Sequence, residues 1–115
     1  MIQVANAPCS WGVLEFDGLE GEAAGCEQFL RELKQSGYAG TELGDWGFMP
    51  TDPGQLHDLL AGYDLPLLGA FVPVALTEPE AHEAGIELAV RTAKLLAQVN
   101  PSAFIVLADD NGTDP

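Results

Sequence analysis

The sequence predicts an α/β fold with a parallel sheet, because four short apolar runs of strand composition alternate with three helical patterns over 115 residues. Each strand and helix together occupy roughly 30 residues, the length of a crossover unit. Glycine, proline and aspartate stand where helices should begin and end.

Ile2 to Ala7 is the first strand. Cys26, Phe29, Leu30 and Leu33 then fall at i, i+3, i+4 and i+7, which draws one apolar stripe along a helix. Gly37 closes that helix, since glycine takes the left-handed cap conformation without a Cβ penalty. Ala39 to Leu43 is the second strand, too short and too apolar for a surface loop, and it delivers Glu42 at its C-terminal tip. Asp52 before Pro53 starts the next helix: the aspartate accepts an orphan amide bond and proline fits the first turn. Leu56, Leu59, Leu60 and Tyr63 form its stripe, and Leu67 to Val72 is the third strand. Thr77 with Glu80 reads as a capping box, with Pro79 in the same first turn, ahead of a third stripe of Ile86, Ala89, Val90 and Ala93. Ala103 to Ala108 is the fourth strand, followed by a turn signal from Asp109 through Pro115.

The order β-α-β-α-β-α-β implies right-handed crossovers and one domain over residues 1–115. A carboxylate at a strand tip is where α/β barrels keep their chemistry, and such barrels take about 200 residues or more. Four strands and three helices are therefore expected as about half of one, a partial (β/α)8 TIM barrel.

Composition narrows the partners. With 47% hydrophobic residues the chain has material for a core, while 4 basic against 18 acidic residues give a formal charge of −14. That balance repels phosphate backbones and anionic headgroups, so no nucleic acid and no membrane partner is expected. Cys9 and Cys26 lack C-x-x-C spacing, no leader pattern opens the chain, and no apolar run approaches membrane-spanning length; a reduced, cytoplasmic location is expected.

Three segments carry a family likeness. They are Asn6-Ala7-Pro8-Cys9-Ser10-Trp11-Gly12, Gly37 through Asp45 continuing into Gly47-Phe48-Met49-Pro50-Thr51-Asp52-Pro53, and Gly69-Ala70-Phe71-Val72-Pro73-Val74. Together they resemble the xylose isomerase-like sugar phosphate isomerases and epimerases, and within these the inosose dehydratase-type proteins. The resemblance covers nearly the whole chain and the N-terminal half of the family's barrel. It implies a small-molecule sugar or cyclitol as substrate and proton removal next to a carbonyl as the first step. It also implies a divalent metal (Mn, Mg or Co) in the complete enzyme, acting as Lewis acid on the enediolate while a carboxylate moves the proton. The family's ligands, two glutamates, an aspartate and a histidine, come from later strands, so no metal is expected on this chain. His57 and His82 read as solvated helix residues.

What this half is expected to contribute is substrate binding, through Glu42, Trp11 and Trp46. Glu42 accepts hydrogen bonds from sugar hydroxyls on this reading; the alternative is a solvated strand-end carboxylate. Trp11 offers an apolar wall to the carbon face of a sugar, with core packing as the alternative. Trp46 covers the same mouth or docks on the second helix. Phe71 and Cys9 read as packing, and Asp109 and Asp110 as turn chemistry. Two alternatives to the enzyme remain open: a small doubly wound binding domain, and a half barrel that self-associates through exposed strand edges. No G-x-G-x-x-G or G-x-x-x-x-G-K-[ST] supports the former. DNA repair, another activity of the barrel family, is disfavoured because the only basic residues, Arg31, Lys34, Arg91 and Lys94, all map to helices.

Overall fold

The computed structural model describes residues 2–12 and 25–110. Three helices, α1 (Cys26–Gln35), α2 (Pro53–Tyr63) and α3 (His82–Val99), alternate with three strands, β1 (Thr41–Glu42), β2 (Leu67–Val74) and β3 (Phe104–Asp109). The strands lie in the order β1-β2-β3 and both pairs are parallel, so the described residues form an α/β fold built on a three-stranded parallel sheet.

The first expected strand is reduced to an extended segment. Ile2 to Ala7 runs parallel to β1 but makes one bridge, Asn6 to Thr41. Ala39 N–H donates to the Val4 carbonyl at 2.7 Å and Glu42 N–H to the Asn6 carbonyl at 3.0 Å. Its neighbour β1 is only two residues long, too short to order a full ladder, and Ile2 and Val4 stay 91% and 59% exposed. The register between β1 and β2 also slips between Thr41 and Glu42, which limits β1 itself.

Local chemistry sets the helix ends. Gly37 closes α1 at φ 89°, with Gly37 N–H donating to the Lys34 carbonyl at 3.1 Å and Tyr38 N–H to the Leu33 carbonyl at 3.3 Å, the paired bonds of a Schellman cap. Asp52 caps α2 by accepting from Gln55 N–H at 3.0 Å, with Pro53 in the first turn. The third start differs from expectation. The chain after Glu78 winds a 3₁₀ turn over Pro79–Ala81, α3 begins only at His82, and neither start has a side-chain cap. Thr77 therefore stands too far upstream to form the capping box.

All three helices cover one side of the sheet. Phe29, Leu30 and Leu33 of α1, Leu56 and Leu60 of α2, and Leu95 and Leu96 of α3 share one buried cluster with Leu43, Leu67 and Ala70. Burying each such leucine or phenylalanine stabilises by about 1.5–3 kcal/mol before entropy is counted. The side of α3 that meets the sheet is also corrected: Gly85, Thr92, Leu95 and Leu96 face inward, whereas Ile86 and Val90 of the expected stripe face out. The cause is close approach, since a Cβ at Gly85 would overlap Val74 of β2. Thr92 pays no desolvation penalty there, because its hydroxyl donates to the Leu88 carbonyl at 2.8 Å. On the opposite side of the sheet Leu68, Phe71, Phe104 and Val106 remain exposed. Among the described residues no helix is long and apolar enough to cross a membrane. The turn signal after Asp110 falls in residues 111–115, outside the described residues.

Candidate functional site

Strand alternation decides where Glu42 goes. Thr41 and Leu43 are buried toward the helices, so the residue between them faces the uncovered side, where Glu42 is half-buried. There it borders an open cavity of about 460 Å³ with Asn6, Ala7, Leu68, Gly69, Phe104 and Val106. Among the described residues no basic side chain forms an ion pair with its carboxylate.

The depth of the carboxylate is not what its strand alone suggests. Glu42 pairs with Gly69, and Gly69 with Phe104, the first residue of β3. From that row β2 and β3 continue in register to the Val74–Asp109 pair, about 16 Å further along at ~3.3 Å per residue. Glu42 thus ends its own strand while lying low on the uncovered side, below the C-terminal rim of the longer strands. The register slip beside Leu68 and the brevity of β1 produce this offset.

A bracket of small residues holds the site's upper edge. Asn6 Oδ1 accepts from Ala7 N–H at 2.8 Å and from the Ser10 hydroxyl at 2.7 Å, which tightens the 3₁₀ turn Pro8–Trp11. Pro8, buried, packs on Gly44, whose φ of 76° no residue with a Cβ holds cheaply. The segments after Asn6 and after Glu42 are therefore joined. Asn6 is the site residue that sequence reasoning passed over; an asparagine one residue before Ala-Pro is a turn signal that could have found it.

The two tryptophans lie elsewhere. Trp11 Nε1–H donates to Glu32 of α1 at 2.7 Å, and its ring meets Phe29 and Tyr38 edge-on at 5.1 and 6.4 Å. Trp46 packs beside the core and lies under the Arg91 guanidinium of α3, 4.1 Å from the ring centroid, a contact worth about 0.5–1 kcal/mol at such a surface. Neither ring lines the cavity of Glu42, so the structure does not bring the three expected binding residues together.

Other candidates separate similarly. Phe71, expected as packing, is exposed on the uncovered side; Cys9, expected likewise, is exposed in its 3₁₀ turn because Pro8 takes the inward position. Cys26 is half-buried, and burial followed by the neighbouring Glu27 charge pushes its thiol above the usual 9.0. Asp109 Oδ1 accepts from Leu76 N–H at 3.0 Å and Asp110 N–H donates to the Val74 carbonyl at 2.9 Å, so both fasten the loops at the strand ends. His57 lies beside Asp58, and His82 Nε2 contacts the Leu76 carbonyl at 2.7 Å; both are exposed. Among the described residues no three of His, Cys, Asp and Glu converge on a metal-sized point. These residues do not fit the metal centre that the resemblance implies.

No protein-family model matches this chain, and neither does any curated protein.

Proposed function

We propose that this chain is the N-terminal portion of a metal-dependent sugar or sugar phosphate isomerase, epimerase or inosose dehydratase-type enzyme, and that it supplies substrate contacts rather than the metal centre. The observation that carries the proposal is Glu42, held without a basic partner among the described residues on the helix-free side of a parallel sheet, beside a cavity large enough for a monosaccharide. A (β/α)8 barrel has this one-sided arrangement, with helices outside, packed side chains inside and ligand-binding residues at the C-terminal ends of its strands, the place Glu42 takes on its own short strand. A doubly wound domain carries helices on both sides, so helix placement among the described residues favours the barrel reading.

The chemistry of the cavity suits a polyol. Leu68, Phe104 and Val106 offer apolar surface to the carbon face of a ring, and Glu42 offers two acceptor oxygens to its hydroxyls. A carboxylate among apolar side chains orients a hydroxyl strongly, since each hydrogen bond to a charged acceptor contributes about 1.5–3 kcal/mol. No chemical step is assigned to a metal, because the described residues do not assemble its ligands. Proton transfer at the carbon next to the carbonyl belongs to the complete enzyme on this reading.

The test is nuclear magnetic resonance titration of the chain with D-xylose and myo-inositol. Amide shifts confined to Asn6, Glu42, Gly69 and Val106 are expected, and Glu42→Ala should weaken binding at least tenfold, the equivalent of about 1.4 kcal/mol. Shifts that ignore Glu42→Ala, or none with either ligand, would overturn the reading.

A further inference from the structure

We infer that Thr41 is a positioning residue for Glu42: its hydroxyl stands in for a backbone donor that Pro8 lacks, and so fixes the peptide that sets the carboxylate at the cavity. The inference deepens the substrate role proposed for Glu42 and rests on that reading for its purpose, though not for its geometry.

The parallel pairing beside Asn6 shows where a donor is missing. Asn6 N–H donates to the Gly40 carbonyl at 3.3 Å, and Glu42 N–H donates to the Asn6 carbonyl at 3.0 Å. Continued by one step, the evenly spaced parallel pattern would have the amide of residue 8 donate to the Glu42 carbonyl. Residue 8 is proline, which has no N–H, and it opens the 3₁₀ turn and packs on Gly44 instead. The Thr41 hydroxyl fills the gap, donating to the Glu42 carbonyl at 2.8 Å.

One peptide group is thereby held at both ends. The carbonyl between Glu42 and Leu43 accepts from Thr41, and the N–H of the same peptide, that of Leu43, donates to the Gly69 carbonyl at 2.9 Å. Glu42 N–H is already bound to Asn6, so the backbone on either side of the Glu42 Cα is fixed. Packing does not ask for the Thr41 hydroxyl: the residue is fully buried, where valine would fill the same shape without a polar atom. The carbonyl does ask for it, since a backbone acceptor shielded from water and left without a donor is destabilising.

The neighbouring strand links that peptide to the cavity. The buried side chains along β2 belong to Leu67, Ala70, Val72 and Val74, so the step from Leu67 to Ala70 holds one residue more than a regular alternation. Leu68 and Gly69 together oppose Glu42, a bulge of the kind that re-aims a neighbouring side chain. Gly69 has to lack a side chain there, because a Cβ would stand 2.8 Å from the Phe104 carbonyl oxygen, and its bare backbone lines the cavity with Glu42. The bond from Leu43 to Gly69 pins Glu42 to this bulge, and Thr41 holds the peptide that makes the bond.

Nuclear magnetic resonance on the chain tests this with Thr41→Val, Thr41→Ala and Thr41→Ser, each checked for folding by circular dichroism. The wild type should show a scalar coupling across the hydrogen bond from the Leu43 amide nitrogen to the Gly69 carbonyl carbon. Thr41→Val and Thr41→Ala, without the hydroxyl, should lose that coupling, and Thr41→Ser should keep it. Affinity for D-xylose or myo-inositol should fall about tenfold in Thr41→Val, recover in Thr41→Ser, and fall no further when Thr41→Val is added to Glu42→Ala. A wild type without the coupling, a folded valine or alanine variant that retains it, a loss that serine does not restore, or unfolding of both hydroxyl-free variants would overturn the inference. So would a lost coupling with sugar affinity intact. A wild type that binds neither sugar while the coupling follows the hydroxyl would overturn the sugar reading and leave Thr41 as the residue that places Glu42.

Discussion

Gly37 and Gly44 both hold positive φ, at 89° and 76°, yet their surroundings separate what an alanine would cost at each. Nothing lies within 4 Å of the Cβ that Gly37 lacks, so Gly37→Ala should lose only the conformational term, about 1 kcal/mol. At Gly44 the added methyl would stand 2.6 Å from Pro8 Cγ, so Gly44→Ala adds an overpacking cost of about 1–3 kcal/mol. Urea unfolding of the two variants should show Gly44→Ala clearly weaker, and equal midpoints would contradict the Pro8 contact. Trp11 divides the structural from the ligand role in the same way. Trp11→Phe removes the indole donor from Glu32 and should cost about 1 kcal/mol, a half-buried charge-assisted bond, while leaving the sugar-induced shifts unchanged. Cys26 supplies a pH dependence. Its thiol is raised above 9.0 by burial and then by Glu27, so the unfolded thiol ionises first as pH climbs. Stability is full below 9.0 and declines from there through the raised folded value, and Cys26→Ser should flatten that decline in thermal melts.

Helix starts differ in whether neighbours intervene between sequence and cap. Asp52 meets Gln55 N–H directly, so Asp52→Ala should lower stability by about 1 kcal/mol. Thr77 caps nothing, because the Pro79–Ala81 turn displaces the start of α3, and Thr77→Ala should leave the melting temperature within error of wild type. A matching loss in both would restore the capping box. The same distinction explains what the sequence revealed. α1, α2, their caps and the run that became β2 were legible, since each depends on residues within one or two turns of itself. The first strand was not, because ladder formation depends on a neighbour that turned out two residues long. The stripe of α3 misled for a related reason: Ile86 and Val90 are periodic, but Gly85 permits the closest approach to β2 and so fixes which side packs. Glu42 was legible as a carboxylate ending a strand, whereas its depth in the sheet depends on a register slip that no local pattern announces. Trp11 reads equally well as wall or packing, and Trp46 as a cover for the same mouth or a ring docked on α2; Glu32 and Arg91, distant in sequence, decide where their rings rest.

Across the whole molecule, charge and apolar surface act in opposite directions. A formal charge of −14 on 115 residues opposes the compact state, while the apolar cluster shared by the three helices and the sheet favours it. Glu27 and Glu32 of α1 and Glu83 and Glu87 of α3 stand on helices that also carry buried residues of that cluster, so the repulsion is long-range and the attraction is at contact. Salt discriminates between the two, because the screening length falls from ~30 Å at 0.01 M to ~3 Å at 1 M while apolar contact is not screened. The unfolding midpoint should therefore rise with sodium chloride over that range, since screening relieves self-repulsion within one chain. A urea midpoint that stays fixed from ~0.01 M to ~1 M salt would show that the acidic side chains stand too far apart to oppose folding.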